Sequence, residues 1–251
     1  MHGKPTAKVA LVVVLLFQWS IACAESDRPR IAIIIDDLGY ERAAGERAIA
    51  LPGEVTFAVL PGAPYTSTLA TLAHESGKGV LLHLPLQAAS DAQDSEHGSL
   101  VLDMTQQQFN AALAERINAV PHIIGINTHR GSLLTRHPGH MRWLMDEIVA
   151  RGNLFFVDSF TTAQSVALRI ALESGVPAVR RDVFLDPDAN PDTISREFSR
   201  LEELARERGS AVGIGHPYPA TLDYLEQALP QLRLRGIDLV PVMSIVGEFS
   251  R

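Results

Sequence analysis

The stretch Arg30-Ile31-Ala32-Ile33-Ile34-Ile35-Asp36-Asp37-Leu38-Gly39-Tyr40 decides the fold. Five apolar residues, four of them β-branched, run directly into two adjacent carboxylates and a glycine. A short apolar run that ends in a turn signal predicts a strand buried on both faces, as in a parallel sheet. In parallel α/β sheets, ligands bind at the carboxyl ends of the strands. Asp36 and Asp37 therefore lie where a site is expected.

The two adjacent acids raise a question of geometry. Neighbouring residues of a strand point to opposite faces, so Asp36 and Asp37 face one spot only if the strand has already ended. Two like charges this close also raise the pKa of one carboxyl unless a cation lies between them. The alternative is a solvated turn that caps a helix beginning near Glu41.

Short apolar runs alternate with amphipathic segments along the rest of the chain. This βα rhythm predicts an α/β protein with a mainly parallel sheet, and its strand count favours a distorted (β/α) barrel of seven to eight strands over a doubly wound sheet. No nucleotide-binding glycine pattern of the G-x-G-x-x-G or P-loop type occurs. The predicted strands are residues 31–36, 55–60, 79–83, 123–127, 154–158, 178–181, 211–215 and 237–242. The predicted helices are residues 41–50, 65–76, 105–119, 138–151, 161–174, 191–208 and 220–235.

Residues 1–24 have the pattern of a secretory signal peptide. Lys4 and Lys8 form a basic region, residues 9–17 form an apolar core too short to span a bilayer, and Ala22-Cys23-Ala24 is a small-x-small cleavage site. We expect cleavage after Ala24 and a single periplasmic domain, residues 25–251, without a stable membrane span. Lipoprotein processing at Cys23 and an uncleaved anchor are the alternatives.

The composition excludes several classes of function. Cleavage after Ala24 would remove the only cysteine, so the mature chain would have no cysteine nucleophile, disulfide or cysteine-based zinc site. It would also remove two lysines from a chain whose formal net charge is already −7. An acidic chain without a basic stripe argues against nucleic acid as a partner.

Side chains that can bind a metal or transfer protons recur at the predicted strand ends. In a barrel these ends converge on one rim, so residues far apart in sequence share a site. One carboxylate and two imidazoles would suit zinc or another borderline divalent ion, which lowers the pKa of bound water. The remaining acid could then accept the proton of the water, and a further histidine could protonate the leaving group. The strand-end residues are Asp36, Asp37, His83, Asn127, His129, Arg130, Asp158, Asp186 and His216.

Five segments together resemble the divergent polysaccharide deacetylase family, the YibQ-like branch of the NodB-type carbohydrate esterases. The resemblance extends over residues 30–246, and its motifs are residues 34–39, 83–87, 127–132, 155–159 and 215–217. It implies a NodB-like distorted (β/α) barrel. It also implies a metal-dependent hydrolase that removes acetyl groups from an N-acetylated envelope polysaccharide or a peptidoglycan fragment.

The resemblance assigns roles to individual residues. Asp36 is the expected base and His216 the expected acid, while Asp37 and His83 match metal ligands. Gln87 stands where ordinary members have a second motif histidine. His129 is expected to replace that histidine as a ligand of a divalent metal, with zinc as the first choice.

Asn127, Arg130 and Asp158 are expected to contact substrate. A non-catalytic glycan-binding or envelope-assembly protein on the same fold is the alternative, and a phosphoesterase is a weaker one, because few cations lie at the rim.

Overall fold

The structure, a computed structural model, describes residues 28–91 and 98–246. The predicted signal peptide and most of the polar loop at 90–99 lie outside the described residues. Within them, nine strands form one sheet in which every pair is parallel. The strands are β1 (Arg30–Leu38), β2 (Val55–Val59), β3 (Gly79–Leu86), β4 (Gly125–Arg130), β5 (Phe155–Asp158), β6 (Ala178–Arg180), β7 (Val183–Phe184), β8 (Ser210–Gly215) and β9 (Asp238–Leu239).

The strand order is β6-β5-β4-β3-β2-β1-β8-β7, with β9 added to β1. Most helices cover the outer face of this curled sheet. No helix in the described residues is long and apolar enough to cross a membrane. The helices are α1 (Arg42–Ile49), α2 (Thr66–Glu75), α3 (Gln106–Ala119), α4 (Pro138–Arg151), α5 (Ala167–Glu173), α6 (Pro191–Arg208), α7 (Pro219–Ala228) and α8 (Val242–Val246).

Alternation along β1 divides the core in two. Ile31, Ile33 and Ile35 pack in the large outer core between the sheet and the helices. Ala32 and Ile34 pack in a smaller inner core, which α8 closes at the amino ends of the strands. Because side chains alternate, the inward register that Ala32 and Ile34 set carries Asp36 to the carboxyl end of the barrel interior.

The predicted barrel of parallel strands is confirmed, although β3 and β4 run past their predicted ends and β7 was not predicted. Three further segments also differ from prediction. Residues 161–166 form turns, and α5 begins only at Ala167. The predicted helix at 220–235 ends at Ala228, because Pro230 lacks the N–H group that would continue it, and 3-10 turns follow. The predicted last strand shrinks to β9, with Pro241 ending it before α8.

Candidate active site

A β-bulge at Asp37 turns both adjacent acids toward the same cavity. The register with β2 shifts by one residue, because Ile35 pairs with Phe57 whereas Leu38 pairs with Val59. Asp37 has a φ of 60°, a left-handed conformation that non-glycine residues rarely adopt. The expectation that the strand must end before the two acids was therefore wrong. The strand continues to Leu38, and the bulge re-aims Asp37.

Asp37, His83 and His129 bring three donor atoms together. Oδ1 of Asp37 lies 3.1 Å from Nε2 of His83 and 3.1 Å from Nδ1 of His129. The two nitrogens are themselves 3.1 Å apart. Ligands of a tetrahedral zinc ion, about 2.0–2.1 Å from the metal, are separated from one another by roughly 3.3 Å. Among the described residues, Oδ1 of Asp37 is buried and makes no hydrogen bond of acceptable geometry, even with the two imidazoles 3.1 Å away, so the three residues fit a shared cation.

Asn127 links the expected base to this cluster. Its Nδ2 donates to Oδ1 of Asp36 over 2.7 Å, and its Oδ1 lies 2.8 Å from Nδ1 of His83. Because a carboxylate only accepts, the amide nitrogen must face Asp36, and the amide oxygen accepts from His83. The single proton of a neutral His83 ring therefore lies on Nδ1. Nε2 is then left with the lone pair that a metal requires.

The carboxylates and imidazoles of the site control one another's protonation. Burial raises the pKa of Asp36, and the nearby His83 and His216 offset only part of this effect. Burial opposes the charged form of His83, but Asp36 and Asp37 outweigh it and raise its pKa to about 9. Asp37 is also buried, yet His129 and His83 hold its pKa well below the usual range. A bound cation would compete with these imidazole protons.

His216 reaches the cluster from β8 and is held by a buried carboxylate. Oδ1 of Asp186 lies 3.0 Å from Nδ1 of His216, and Oδ2 of Asp186 accepts from the His216 backbone N–H and from Thr221 Oγ1, both over 2.7 Å. Nε2 of His216 lies 3.6 Å from Oδ2 of Asp37. Burial opposes the charged ring, but the hydrogen bond with Asp186 and the charge of Asp36 raise the pKa of His216.

Asp186 follows the sixth predicted strand, and its place in the sequence predicted no role for it. In the structure only 2% of Asp186 is exposed, and it lies beside a histidine 30 residues later in the chain. The local sequence pattern could show neither the burial nor this contact.

Gln87 lies at the rim but does not belong to the cluster. Its Oε1 accepts from the backbone N–H of Leu102 over 2.8 Å, and its own N–H donates to Leu100 over 2.9 Å. Gln87, which the resemblance places where a second motif histidine was expected, thus holds a neighbouring loop. His129, from the next strand along the chain, contributes the third donor atom.

The three residues expected to contact substrate differ in position. Arg130 lines the cavity at the cluster and pairs with the buried carboxylate of Asp91. Asn127 is fully buried between Asp36 and His83. Asp158 is also buried, and its oxygens accept from the Phe160 N–H and the Ser165 hydroxyl. Asp158 thereby shapes the turns at 159–166, and its contact with substrate stays a prediction.

Two cavities meet at the cluster. The polar cavity, about 160 Å³, is lined by Asp36, Asp37, His83, Thr128, His129, Arg130, Ser159, Thr161, Arg181, Phe184, Ile214 and His216. The tyrosine cavity, about 320 Å³, is lined by Asp37, Leu38, Tyr40, Glu41, Ala44, Gly45, Leu60, His129, Pro217 and Tyr218. Asp37 and His129 belong to both linings, so the candidate metal position lies at their junction.

Comparison with known proteins identifies the family. Residues 33–246 match the family described as divergent polysaccharide deacetylase. The chain belongs to this family. YibQ of Escherichia coli K12 is 38% identical over 219 residues, which cover 87% of this chain and 68% of YibQ. The relative from Haemophilus influenzae is 36% identical over 229 residues, which cover 91% of this chain and 80% of that protein.

Solved structures show the same fold as this member of the divergent polysaccharide deacetylase family. ATU2773 of Agrobacterium tumefaciens superposes with a TM-score of 0.83 at 24% identity, covering 87% of this chain and 89% of that one. The catalytic domain of a peptidoglycan N-acetylglucosamine deacetylase from Eubacterium rectale gives 0.54 at 16% identity, with 85% and 88% covered. BA3943 of Bacillus anthracis, described as a CE4 family pseudoenzyme, gives 0.50 at 12% identity, with 88% and 66% covered.

Proposed function

We propose that this protein is a metal-dependent hydrolase that removes acetyl groups from an N-acetylated envelope glycan. The observation that carries the proposal is the convergence of the donor atoms of Asp37, His83 and His129, with Asp36 and His216 beside them. The likeness to a peptidoglycan N-acetylglucosamine deacetylase supports the substrate class.

The donor set favours zinc or a similar divalent ion, because it combines one carboxylate oxygen with two imidazole nitrogens. When bound by Asp37, His83 and His129, such an ion polarises a carbonyl and lowers the pKa of water. Asn127 supports this role, since its hydrogen bond with Nδ1 of His83 leaves the lone pair of Nε2 available to a metal.

Asp36 and His216 divide the proton transfers. Asp36 is 3% exposed and, as the neighbour of Asp37, can take the proton of the water that attacks the acetyl carbon. As the C–N bond breaks, His216 protonates the departing nitrogen through Nε2, while Nδ1 stays bonded to Asp186. Each turnover releases acetate and leaves a free amine on the sugar.

The test is acetate release from chito-oligosaccharides with zinc supplied. Asp36→Asn and His216→Ala should each lower turnover by about 10²–10⁴-fold with zinc content unchanged, because each removes one proton-transfer group. His122→Ala, which changes an exposed histidine outside both cavity linings, is the matched control. Equal acetate release by the unchanged protein and both variants would contradict the assigned roles.

A non-catalytic glycan-binding protein is the second candidate, favoured by Gln87 at the place of the second motif histidine and by the likeness to BA3943. Tight binding of N-acetylated oligosaccharides by a zinc-loaded protein that releases no acetate, across several divalent metals, would favour this candidate.

We also propose that the protein is exported to a bacterial periplasm after cleavage behind Ala24. The signal-like pattern of residues 1–24 supports this location. Cell fractionation with N-terminal sequencing should find a periplasmic protein that begins at Glu25. A cytoplasmic protein that keeps Met1 would contradict export.

A further inference from the structure

The tyrosine cavity has no part in the proton transfers proposed above, yet it opens directly onto the candidate metal position. It is twice the volume of the polar cavity, about 320 Å³ against about 160 Å³. Its exposed aromatic side chains are Tyr40 and Tyr218, with 57% and 41% of their surfaces open to solvent. Exposed aromatic rings beside a reactive cluster are a common means of binding a flat, amphipathic ligand.

The backbone holds Tyr218 in place before any ligand arrives. Pro217 and Pro219 flank it and restrict its dihedral angles, and Pro219 begins α7. Its ring stacks on the ring of His216, with centroids 5.3 Å apart and planes inclined by 26°. A ligand that binds Tyr218 therefore contacts a ring already packed against the proposed acid.

Tyr40 is positioned by the tight turn before it. Gly39 has a φ of 139°, and its carbonyl accepts from the Tyr65 N–H over 2.9 Å. A Cβ at Gly39 would lie 2.7 Å from Cβ of Ala63. Both tyrosines are thus carried by restrained backbone, which lowers the entropy lost when a ligand binds.

The charges of the tyrosine cavity select against anions. Its lining contributes the carboxylates of Asp37 and Glu41 and includes no lysine or arginine among the described residues. The polar cavity, by contrast, is lined by Arg130 and Arg181. An uncharged ring with apolar faces and hydroxyl edges fits the tyrosine cavity better than a phosphate or a uronic acid.

We propose that the tyrosine cavity is a subsite for a neutral pyranose ring, the sugar unit next to the one whose acetamide reacts. This inference rests on the proposed function for the identity of the neighbouring unit. Tyr40 and Tyr218 bind the faces of the ring, and the junction at Asp37 and His129 aligns the next acetamide with the metal ligands. The protein should therefore prefer oligosaccharides to single sugars.

The experiment measures calorimetric affinity for chitotetraose and for N-acetylglucosamine. It uses the full chain with zinc supplied and with Asp36→Asn present to prevent turnover. Tyr40→Ala and Tyr218→Ala should each raise the Kd for chitotetraose about 3- to 10-fold and leave that for N-acetylglucosamine unchanged. Tyr40→Phe and Tyr218→Phe should bind as the parent does, because the ring is retained. Leu234→Ala, at a residue that is 83% exposed and lies outside both cavity linings, is the control.

Unchanged chitotetraose affinity in both alanine variants would overturn the subsite, as would a parent protein that does not bind chitotetraose at all. Tyrosine-dependent binding by a protein that releases no acetate would support the subsite while contradicting the hydrolase. Acetate release by the unmodified protein, together with unchanged binding in the alanine variants, would support the hydrolase while contradicting the subsite. The two proposals therefore fail in different measurements.

Discussion

At the scale of single residues, Asn127 is the side chain that joins the proposed base to a proposed metal ligand. It is completely buried, and its one amide satisfies both Asp36 and His83. The sequence placed Asn127 in the correct region, since it ends a predicted strand, but it could not show which way the side chain points. That direction depends on the pairing of β4 with β3, where His83 lies opposite Asn127.

Replacement of Asn127 should weaken metal binding. Asn127→Ala removes the acceptor that keeps the proton of His83 on Nδ1, and losses of this kind reduce metal affinity about 10- to 100-fold. Zinc titration with a competing chelator measures the effect. Asn153→Ala, at an exposed asparagine, should bind zinc as the unchanged protein does. Equal zinc affinity in both variants would show that His83 does not depend on Asn127.

Replacement of Asp186 should impair the acid without affecting the metal. Asp186 accepts from three donors, which are the His216 backbone N–H, the His216 ring Nδ1 and the Thr221 hydroxyl. In Asp186→Asn the NH₂ group of the amide must face one of these donors, so that hydrogen bond is lost. The negative charge that stabilises the imidazolium of His216 is lost as well. We expect kcat for acetate release to fall by about 10²-fold, with KM and zinc content nearly unchanged. Asp188→Asn, at an exposed residue of the same loop, is the control. A raised KM with kcat unchanged would indicate a role in substrate binding instead.

At the scale of elements, the end of β1 combines a bulge at Asp37 with a glycine turn. Apolar runs and turn signals were sufficient to predict the strand and the rim on which its acids lie. They could not predict the bulge, because it arises from the register between β1 and β2, which brings together residues about twenty positions apart. The same limit applies to residues 161–166, whose turns depend on contacts with the buried Asp158.

The turn at Gly39 should tolerate no side chain. Gly39→Ala would place a Cβ 2.7 Å from Cβ of Ala63 at a φ of 139°, which should lower the free energy of unfolding by about 3 kcal/mol. Gly62→Ala is the matched control, because Gly62 also has a positive φ, 77°, but no atom within 4 Å of the added Cβ. It should cost only about 1–2 kcal/mol. Urea unfolding measures both, and equal losses would contradict the steric argument.

At the scale of the whole molecule, the barrel is closed at one end and carries the proposed site at the other. Val242 and Ile245 of α8 fill the interior at the amino ends of the strands, and the site occupies the carboxyl ends. The sequence predicted the parallel barrel and the strand ends that form the site. The last predicted strand ran on to Val242, the first residue of α8, and no helix was predicted there, because a short apolar run fits either a strand or a buried helix.

The closing helix should matter for stability rather than for chemistry. Ile245 is 1% exposed, and Ile245→Ala should lower the free energy of unfolding by about 2–4 kcal/mol, because it leaves a cavity in the inner core. Met243→Ala changes the same helix at a residue that is 49% exposed and should cost less than about 0.5 kcal/mol. Similar losses in denaturant unfolding of the two variants would show that α8 does not pack as described.

The contacts around Asn127 form a closed ring. They run from Asp36 through Asn127 and His83 to Asp37, which the peptide bond joins back to Asp36. During evolution, a single substitution in such a ring is disfavoured, since a change at any position leaves a buried neighbour without its hydrogen-bond partner. Relatives that have replaced Asn127 should therefore also differ at Asp36 or His83, and these positions should covary across an alignment of the family.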